Sequence, residues 1–590
     1  MISSDQVGAV AYPLLKDTYH RYVNSGPALS VVGRRIDDVL AAVAPEPGGA
    51  GRLRLLDERG EPAGPAETTA DLAKSIAAVE REHHPRWIWP STAELYPALL
   101  AAGVRVDRCH DVLLAEGLLL NYAGRHREPR GLPSAWARVA GLPVPEDAPP
   151  PKHVDQPVLF EPEPDILPGG ADPLDAVVAV HADQRERVAG AEIADRLRLL
   201  LAAESASALT AAEMTHHGLP WRVDIHQRLL TEALGPRPMP GGQPRRMAEL
   251  ADAVTAAFGG REVNPDAPAS VVRAFKRAGI DIPSSRAWVL KQVDHPAVAP
   301  LLEYKELSRL YAAHGWSWLE SWVHNGRFRP EYVVGGVISG RWATRGGAAL
   351  QLPKLLRAAV CADPGWSLVV ADASQLEPRV LGALSDDRRL AEVAADIDLY
   401  ASLASDSFEG ERGRAKIAML SAMYGGTSGE AGPLLATLRR RFPDAVGYVE
   451  NAARMGEEGR MVRSRLGRTS PLASHLVRDL GEDGDERRSR QASRDWGRFT
   501  RNFVVQASAA DWTAALLAGL RGQLANRAPR AQLVFFQHDE VLVHCPSEDA
   551  DTVVAEIGTA ARQATTLVFP GTRVRFPLHA KVVDCYADGK

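Results

Sequence analysis

The sequence is poor in the features that mark disulfide-rich, zinc-ribbon and membrane proteins. It has only four cysteines in 590 residues, and they occur singly, with no Cys-x-x-Cys pair. This spacing excludes a zinc ribbon and argues against a disulfide framework. No uninterrupted apolar run approaches the ~18 residues of a membrane span, and the N-terminus has neither a basic nor an apolar stretch. We therefore expect small buried cysteines in a cytoplasmic protein, with no membrane span and no secretory signal.

A positive net charge is also lacking. The formal net charge is -5, which argues weakly against a nucleic-acid partner because phosphate binding needs lysine and arginine. The local distribution reverses this argument, since the segment from Arg439 to Arg501 has fifteen arginines and no lysine against ten acidic residues. This local excess indicates either a solvated basic face or a surface that binds nucleic acid.

A proline-rich segment divides the chain. Residues 141–170 contain nine prolines and almost no apolar periodicity, which predicts a linker. Before it, a helical pattern at 93–100 and strand-like runs at 52–56 and 104–106 indicate a small α/β domain. After it, long stretches rich in alanine and leucine predict helices, for example at 193–203 and 248–258.

Two segments far apart in the sequence are predicted strands that end at carboxylates. Trp366 to Ala371 is a mostly apolar strand that leads into Asp372, and strand-like runs at 533–537 and 541–544 meet at His538-Asp539-Glu540 in a predicted tight hairpin. Each carboxylate alone is weak evidence for a site, because an Asp at a strand end or turn is usually a polar cap. Together, on adjacent strand ends, they could hold two Mg²⁺ ions ~3.5 to 4 Å apart for phosphoryl transfer.

Two predicted helices carry polar side chains at intervals of four residues. The first ends at Gly425-Gly426 and places two cations, a leucine and an aromatic ring on one face, at Arg412, Lys416, Leu420 and Tyr424. Two cations one helical turn apart can bind a triphosphate, although a solvated basic helix face shows the same spacing of four. The second helix presents hydrogen-bond donors suited to the nearly degenerate minor groove of a duplex, at Arg498, Asn502 and Gln506.

In this order, these segments resemble the motifs of family A DNA polymerases, the bacterial DNA polymerase I type. The motif around the first carboxylate is Asp372-Ala373-Ser374-Gln375-Leu376-Glu377, and the hairpin motif is Gln537-His538-Asp539-Glu540. Ser339-Gly340-Arg341 and Leu466-Gly467-Arg468 agree as well. The resemblance covers roughly residues 200–590, and the whole chain is similar to short actinobacterial proteins described as bifunctional 3′-5′ exonuclease/DNA polymerases.

The resemblance implies a multidomain α/β (α+β) protein with a right-hand polymerase fold of palm, fingers and thumb, preceded by a reduced exonuclease-like α/β domain. The expected divisions are an exonuclease-like domain at 1–140, the linker at 141–170, a helical connection and thumb at 171–331, palm at 332–400 and 505–590, and fingers at 401–504.

The resemblance also implies roles for individual residues. Asp372 and Asp539 would hold two Mg²⁺ ions, which Mn²⁺ could replace, and Lys416 would give a proton to the leaving pyrophosphate. Residues near the incoming dNTP would be Gln375, Glu377, Arg412, Lys416, Leu420 and Tyr424. Residues near the primer-template DNA would be Arg341, Arg498, Asn502, Gln506 and His538, with Glu540 auxiliary. A monomer associated with the nucleoid is expected.

Several positions depart from the family pattern. Leu420 stands where the family has Phe or Tyr, Ala373 where it has Tyr, and Asp398 where a phosphate-binding His is usual. These departures predict slow activity or low nucleotide affinity, and they keep a catalytically inactive, polymerase-like DNA-binding protein as an alternative. A single-subunit RNA polymerase is a second alternative, against which Glu377 argues, because in the DNA polymerases a Glu here leaves no room for a ribose 2′-hydroxyl.

The N-terminal domain is not expected to have 3′-5′ exonuclease activity. Such an exonuclease needs about four carboxylates around two metals, beginning with an Asp-x-Glu pair on its first strand, and we find no such pair. Asp57 and Glu58 are adjacent and form a predicted turn. Asp111 matches at most one ligand, so we predict a structural role for this domain.

Overall fold

The computed structural model describes residues 39–147, 167–426, 431–473 and 486–589. The strands are β1 Leu40–Pro45, β2 Gly51–Leu56, β3 Glu67–Thr69, β4 Arg86–Trp89, β5 Arg108–Asp111, β6 Leu219–Pro220, β7 Val323–His324, β8 Arg327–Phe328, β9 Glu331–Val333, β10 Ala343–Arg345, β11 Trp366–Ala373, β12 Gln532–Gln537, β13 Glu540–Pro546 and β14 Leu578–Val583.

The α-helices of the same residues are numerous and are identified below by their bounds. They are Leu72–His83, Thr92–Ala101, Val112–Tyr122, Leu132–Ala140, Pro173–Ala189, Ala194–His217, Val223–Leu234, Arg245–Ala257, Pro268–Arg277, Ala287–Leu290, Val298–His314, Trp316–Trp322, Leu376–Ser385, Arg388–Val393, Leu399–Ser407, Arg412–Tyr424, Ala431–Arg441, Pro443–Glu457, Glu486–Arg527 and Ala550–Val568.

The N-terminal region forms a five-stranded sheet in the order β3-β2-β1-β4-β5. Strand β1 is antiparallel to β2 and parallel to β4. It is buried on both faces, because Ala41 and Val43 lie in one apolar cluster and Leu40 and Ala42 in another. This continuous apolar run is the pattern of a strand covered on both sides.

Most sequence-based expectations for this region are confirmed. The helix predicted at 93–100 spans Thr92–Ala101, and the strand predicted at 52–56 is β2. The strand predicted at 104–106 is wrong, because the ladder with β4 instead pairs Arg86 with Arg108 and Trp89 with Asp111. Partner strands, which the local sequence does not contain, set this register. Most of the predicted linker, residues 148–166, lies outside the described residues.

The second large sheet has four antiparallel strands in the order β12-β13-β11-β14. It confirms the strands predicted around 368–370, 533–537 and 541–544. Alternate residues of β11 enter two different cores, with Val369 on one face and Leu368 and Val370 on the other. Helices thus cover both faces of the sheet. The end of β11 at Asp372 and the neighbouring β12–β13 turn carry polar residues, and we call these strand ends the carboxylate edge of the sheet.

A smaller helical unit has its own core. Val254, Val271, Phe275 and Leu301 form an apolar cluster among the helices between 245 and 314. The helix predicted at 248–258 is confirmed as Arg245–Ala257.

The long helix Glu486–Arg527 runs through the middle of the protein. Among the described residues, its part Arg490–Arg527 is the one helix long and apolar enough, by length and composition alone, to cross a membrane. However, 78% of its most apolar window is buried inside the protein, and Trp512 and Leu517 are fully covered in the main core. The apolar composition is accounted for by packing within the protein.

The expectation of four unpaired cysteines is wrong for two of them. Cys361 and Cys585 form a disulfide across 224 residues of sequence, whereas Cys109 and Cys545 are free and buried as expected. The pair meets because residues 360–362 and 584–586 run antiparallel next to the second sheet, with the Ala362 amide donating to Asp584. Single cysteines so far apart give no local sign of this contact.

A buried ion pair joins the helix Ala194–His217 to the long helix, and residues of the N-terminal region contact both of its members. The Arg521 guanidinium donates to the Glu213 carboxylate at 2.7 and 2.9 Å, and to the main-chain oxygen of Asp107 at 2.6 Å. The Tyr96 hydroxyl donates to the same carboxylate at 2.7 Å. Burial raises the pKa of Glu213 but Arg521 outweighs it, so the carboxyl pKa is held below its usual value and the pair stays charged.

Candidate active site

The second sheet brings the two predicted carboxylates together. Asp372 pairs with Glu540 in the β11–β13 ladder. The β12–β13 turn consists of His538 and Asp539, with His538 in the left-handed region at φ 58°, and the main-chain oxygen of Asp539 accepts from the Ala373 amide at 3.0 Å. Asp372 and Asp539 are therefore immediate neighbours at one sheet edge, and both are half-buried.

The third carboxylate of this edge faces the protein interior. The Glu540 side chain is 4% exposed and lies 3.7 Å from the Arg357 guanidinium. Arg357 in turn lies over the Tyr586 ring, with its Cζ 4.3 Å from the ring centroid. Glu540 thus faces Arg357 inside the protein, while the half-buried Asp372 and Asp539 offer carboxylate oxygens at the strand ends. This donor set fits Mg²⁺, which prefers oxygen ligands and few protein carboxylates.

The helix Arg412–Tyr424 has the predicted face. Arg412, Lys416 and Tyr424 are exposed and Leu420 is half-buried, whereas the intervening Ala415 and Met419 are covered. Gly425 ends the helix at φ 76°, and a Cβ there would lie 3.1 Å from the Arg498 side chain. The helix end can therefore approach the long helix closely only with a glycine at this position.

Glu377 connects this helix to the sheet. Its carboxylate accepts from the Tyr424 hydroxyl at 2.6 Å and from the Arg341 guanidinium. Burial and the hydrogen bond to Glu377 raise the pKa of Tyr424. The structure thus joins Glu377 to Tyr424, and Arg341, expected near DNA, is an ion-pair partner of Glu377.

Asp398 has contacts that sequence reasoning missed. It pairs with Arg412, whose Nε donates to its Oδ2 at 2.9 Å, and the Gln375 amide donates to its Oδ1 at 3.0 Å. The main-chain amides of Tyr400 and Ala401 donate to the same oxygen at 3.1 Å each, so the carboxylate also caps the helix Leu399–Ser407. Burial raises the pKa of Asp398, but these bonds outweigh it and hold the pKa below its usual value.

The expected duplex-contacting residues lie on the long helix. Arg498 is exposed, and Asn502 and Gln506 are half-buried one and two turns further on. Gln506 lies close enough to Tyr424 to offset in part the rise in the pKa of its hydroxyl. The helix face therefore continues the polar surface that begins at Glu377, and the exposed His538 lies at the turn on the adjacent sheet edge.

The acidic residues that the sequence suggested for the N-terminal domain have structural positions, and a different group, Glu80, His84 and Asp107, brings potential ligand atoms within 4.8 Å of one another. Strand β1, the first strand among the described residues, carries no acidic residue, and Asp57 and Glu58 lie in a turn after β2 as predicted. Asp111 is 1% exposed and caps the helix Val112–Tyr122, accepting from the amides of Thr92 at 2.7 Å and Leu114 at 2.9 Å. Burial raises the pKa of Asp111, and its two amide hydrogen bonds give it the role of a structural cap.

Comparison with known proteins gives the same family as the motifs. The family model for DNA polymerase family A matches residues 244–584, more than half of the chain. The DNA polymerase I of Chloroflexus aurantiacus is 25% identical over 367 residues, which cover 58% of this chain and 36% of that protein. The thermostable DNA polymerase I of Thermus caldophilus is 27% identical over 306 residues, covering 47% and 35%. The matched region thus spans little more than a third of these relatives.

A solved structure shares the fold over nearly the whole chain. It is the POL domain of Pol1 from M. smegmatis in complex with DNA primer-template and dNTP, with a TM-score of 0.69 at 19% identity. The match covers 93% of this chain and 96% of that one. The right-hand polymerase fold implied by the motifs is therefore confirmed. Because the family model matches more than half of the chain and includes the segments of Asp372, Arg412 and Asp539, this chain belongs to DNA polymerase family A.

Proposed function

We propose that this protein is a DNA-directed DNA polymerase that adds dNTPs to a primer 3′-hydroxyl and releases pyrophosphate, in replication or repair. The observation that carries the proposal is the placement of Asp372 and Asp539 at one sheet edge, with the exposed Arg412 and Lys416 on the family's nucleotide-binding helix. Carboxylates for metals and cations for a triphosphate are the two parts that nucleotidyl transfer requires.

Divalent metal ions bound by Asp372 and Asp539 would lower the pKa of the attacking hydroxyl and stabilise charge on the transferring phosphoryl group. The side chains of the chain itself supply the rest. Arg412 and Lys416 would bind the triphosphate oxygens, and Lys416 would pass a proton to the leaving pyrophosphate. Gln375, Glu377, Leu420 and Tyr424 would surround the sugar and base of the incoming nucleotide.

The duplex would lie along the long helix. Arg498, Asn502, Gln506, His538 and Arg341 would contact the minor groove and primer backbone, with Glu540 auxiliary to the carboxylate edge. We propose a monomer acting on nucleoid DNA in the cytoplasm, with the palm, fingers and thumb divided as the sequence motifs imply. The N-terminal domain would support the polymerase through the Glu213–Arg521 pair and have no exonuclease activity.

Primer extension with dNTPs and rNTPs tests this function against an RNA polymerase. The wild-type protein should extend a DNA primer with dNTPs in preference to rNTPs, since Tyr424 and Arg341 hold the Glu377 carboxylate where a ribose 2′-hydroxyl would lie. Glu377→Ala should raise relative rNTP incorporation by about 10- to 100-fold, because removing the side chain opens this space. Preference for rNTPs in the wild type would instead favour the RNA polymerase.

Gln506→Ala is the matched control for this experiment. It removes a side chain that touches Tyr424 but leaves Glu377 in place, so it should weaken DNA synthesis without improving use of rNTPs. Equal gains in rNTP use by both variants would show that Glu377 does not select the sugar.

Asp398→Asn should lower the KM for dNTPs. The Asp398 carboxylate holds Arg412 and competes with a triphosphate for the same guanidinium. Because the pair is about half exposed, it contributes up to ~1 kcal/mol, so its loss should lower KM by about two- to fivefold. Steady-state kinetics over a dNTP concentration series measure this change.

Glu392→Gln is the control for the change in net charge. Glu392 is exposed and pairs with Arg388 within the short helix Arg388–Val393. Neutralising Glu392 should therefore leave the KM for dNTPs unchanged. An unchanged or higher KM in Asp398→Asn would mean that Asp398 orients Arg412 for the nucleotide rather than competing with it.

A further inference from the structure

The last described residues lie directly beneath the carboxylate edge. Tyr586 is fully buried, and its amide donates to the main-chain oxygen of Val360 at 2.9 Å. Its buried hydroxyl has no hydrogen-bond partner of normal geometry among the described residues, and the charges of both Glu540 and Asp372 act on it. The Arg357 guanidinium contacts both residues, because it lies over the Tyr586 ring and 3.7 Å from the Glu540 carboxylate.

A disulfide lies next to Tyr586. Cys585 precedes Tyr586 and is bonded to Cys361, which follows Val360. Around the disulfide there are two main-chain hydrogen bonds, Ala362 to Asp584 at 2.7 Å and Tyr586 to Val360. We call residues 360–362 and 584–586, with the disulfide, the C-terminal clasp.

We propose that Tyr586 is a positioning residue for the catalytic edge, acting through Glu540, and that the Cys361–Cys585 disulfide keeps it in place. The inference rests on the proposed function of Asp372 and Asp539. Glu540 is the ladder partner of Asp372 and the chain neighbour of Asp539, so a shift of its side chain is transmitted to both. Groups that hold the ligands of a metal site affect its metal affinity without touching the metal.

The clasp is accessible to a chemical reductant. Cys361 lines an open surface cavity of about 450 Å³, together with Trp221 and Trp366. A dithiol can supply two electrons and two protons there, which converts the disulfide into two thiols and the dithiol into its own cyclic disulfide. Reduction removes the covalent tie and leaves the segment held by hydrogen bonds and by the packing of Tyr586.

Tyr586→Leu tests the positioning role. The variant keeps a buried apolar side chain but removes the ring that lies under Arg357, and Tyr586→Phe, which keeps the ring, is the control that should behave as the wild type. In Tyr586→Leu, the Mg²⁺ concentration for half-maximal primer extension should rise about tenfold, while the KM for dNTPs at saturating Mg²⁺ stays unchanged. An unchanged Mg²⁺ requirement, or a change in KM alone, would overturn the proposal.

The disulfide is tested by a measurement that does not need polymerase activity. Without reductant, the denatured protein should show two reactive thiols, since two of its four cysteines are bonded. A dithiol should accelerate hydrogen exchange at the Ala362 and Tyr586 amides and raise the Mg²⁺ requirement. Both effects should vanish in Cys361→Ser and Cys585→Ser, which should already resemble the reduced wild type.

Cys545→Ser is the matched control, because Cys545 is free and buried in the same sheet. It should keep the full response to the dithiol. Four reactive thiols in the untreated protein, or a response that persists in Cys361→Ser, would refute the role of the disulfide. If the wild type extends no primer, the proposed function fails, but the exchange measurement still reports on the clasp.

Discussion

Asp372→Ala and Asp539→Ala should each reduce primer extension by about a thousandfold or more while leaving duplex binding intact. Each aspartate would supply oxygen ligands to the proposed metal site, and Glu540 cannot replace them because it is turned inward towards Arg357. Their removal eliminates negative charge next to the DNA phosphates, so affinity for the duplex should stay the same or rise. Single-turnover extension and fluorescence anisotropy with a labelled duplex measure the two quantities separately.

Asp551→Ala provides the control for loss of a carboxylate. Asp551 is exposed in the first turn of the helix Ala550–Val568, which packs against the same sheet. This variant should extend primers at the wild-type rate. Extension by Asp372→Ala or Asp539→Ala within a few-fold of the wild type would show that the sheet edge is not the catalytic centre.

Arg468→Met should destabilise the protein by about 3 to 5 kcal/mol. Arg468 is buried between two carboxylates, donating to Glu204 at 2.8 Å and to Asp511 at 3.0 Å. Glu204 lies on the helix Ala194–His217 and Asp511 on the long helix, so the arginine joins two parts of the fold. Without it, both buried acids lose their counter-ion. Guanidinium titration followed by circular dichroism measures the loss.

Arg198→Met is the surface counterpart of this change. Arg198 pairs with Asp195 on the exposed side of the helix, with its side chain 57% exposed, so its loss should cost no more than about 0.5 kcal/mol. Adding Glu204→Gln and Asp511→Asn to Arg468→Met should restore part of the stability, since the unpaired charges are then gone. Equal midpoints for Arg468→Met and Arg198→Met would contradict a structural role for the buried cluster.

The buried cluster around Arg468 also explains the glycine in the Ser339-Gly340-Arg341 motif. Gly340 has φ 85°, and a Cβ there would lie 2.3 Å from the Nε of Arg468. The glycine of Ser339-Gly340-Arg341 is therefore needed so that the main chain can pass over the arginine of Leu466-Gly467-Arg468. Two motifs more than a hundred residues apart in sequence form one packed unit.

The sequence was most informative where structure is local. The exposed face of the helix Arg412–Tyr424 and the strands that lead to Asp372 and Asp539 follow from periodicity and from turn residues, and they are as predicted. The contacts that were missed are non-local. The Asp398–Arg412 pair, the Cys361–Cys585 disulfide and the contacts of Arg357 with Glu540 and Tyr586 each join segments whose proximity depends on the whole fold. Partner strands likewise decide the register of β5.

The most direct test is single-nucleotide addition by the purified chain on a set of four primer-templates that differ only in the templating base. With Mg²⁺, each template should direct addition of its complementary dNTP in preference to the other three, with one pyrophosphate released per nucleotide added. Tight binding of the duplex with no product on any template would contradict the proposed activity and identify the chain as a polymerase-like DNA-binding protein.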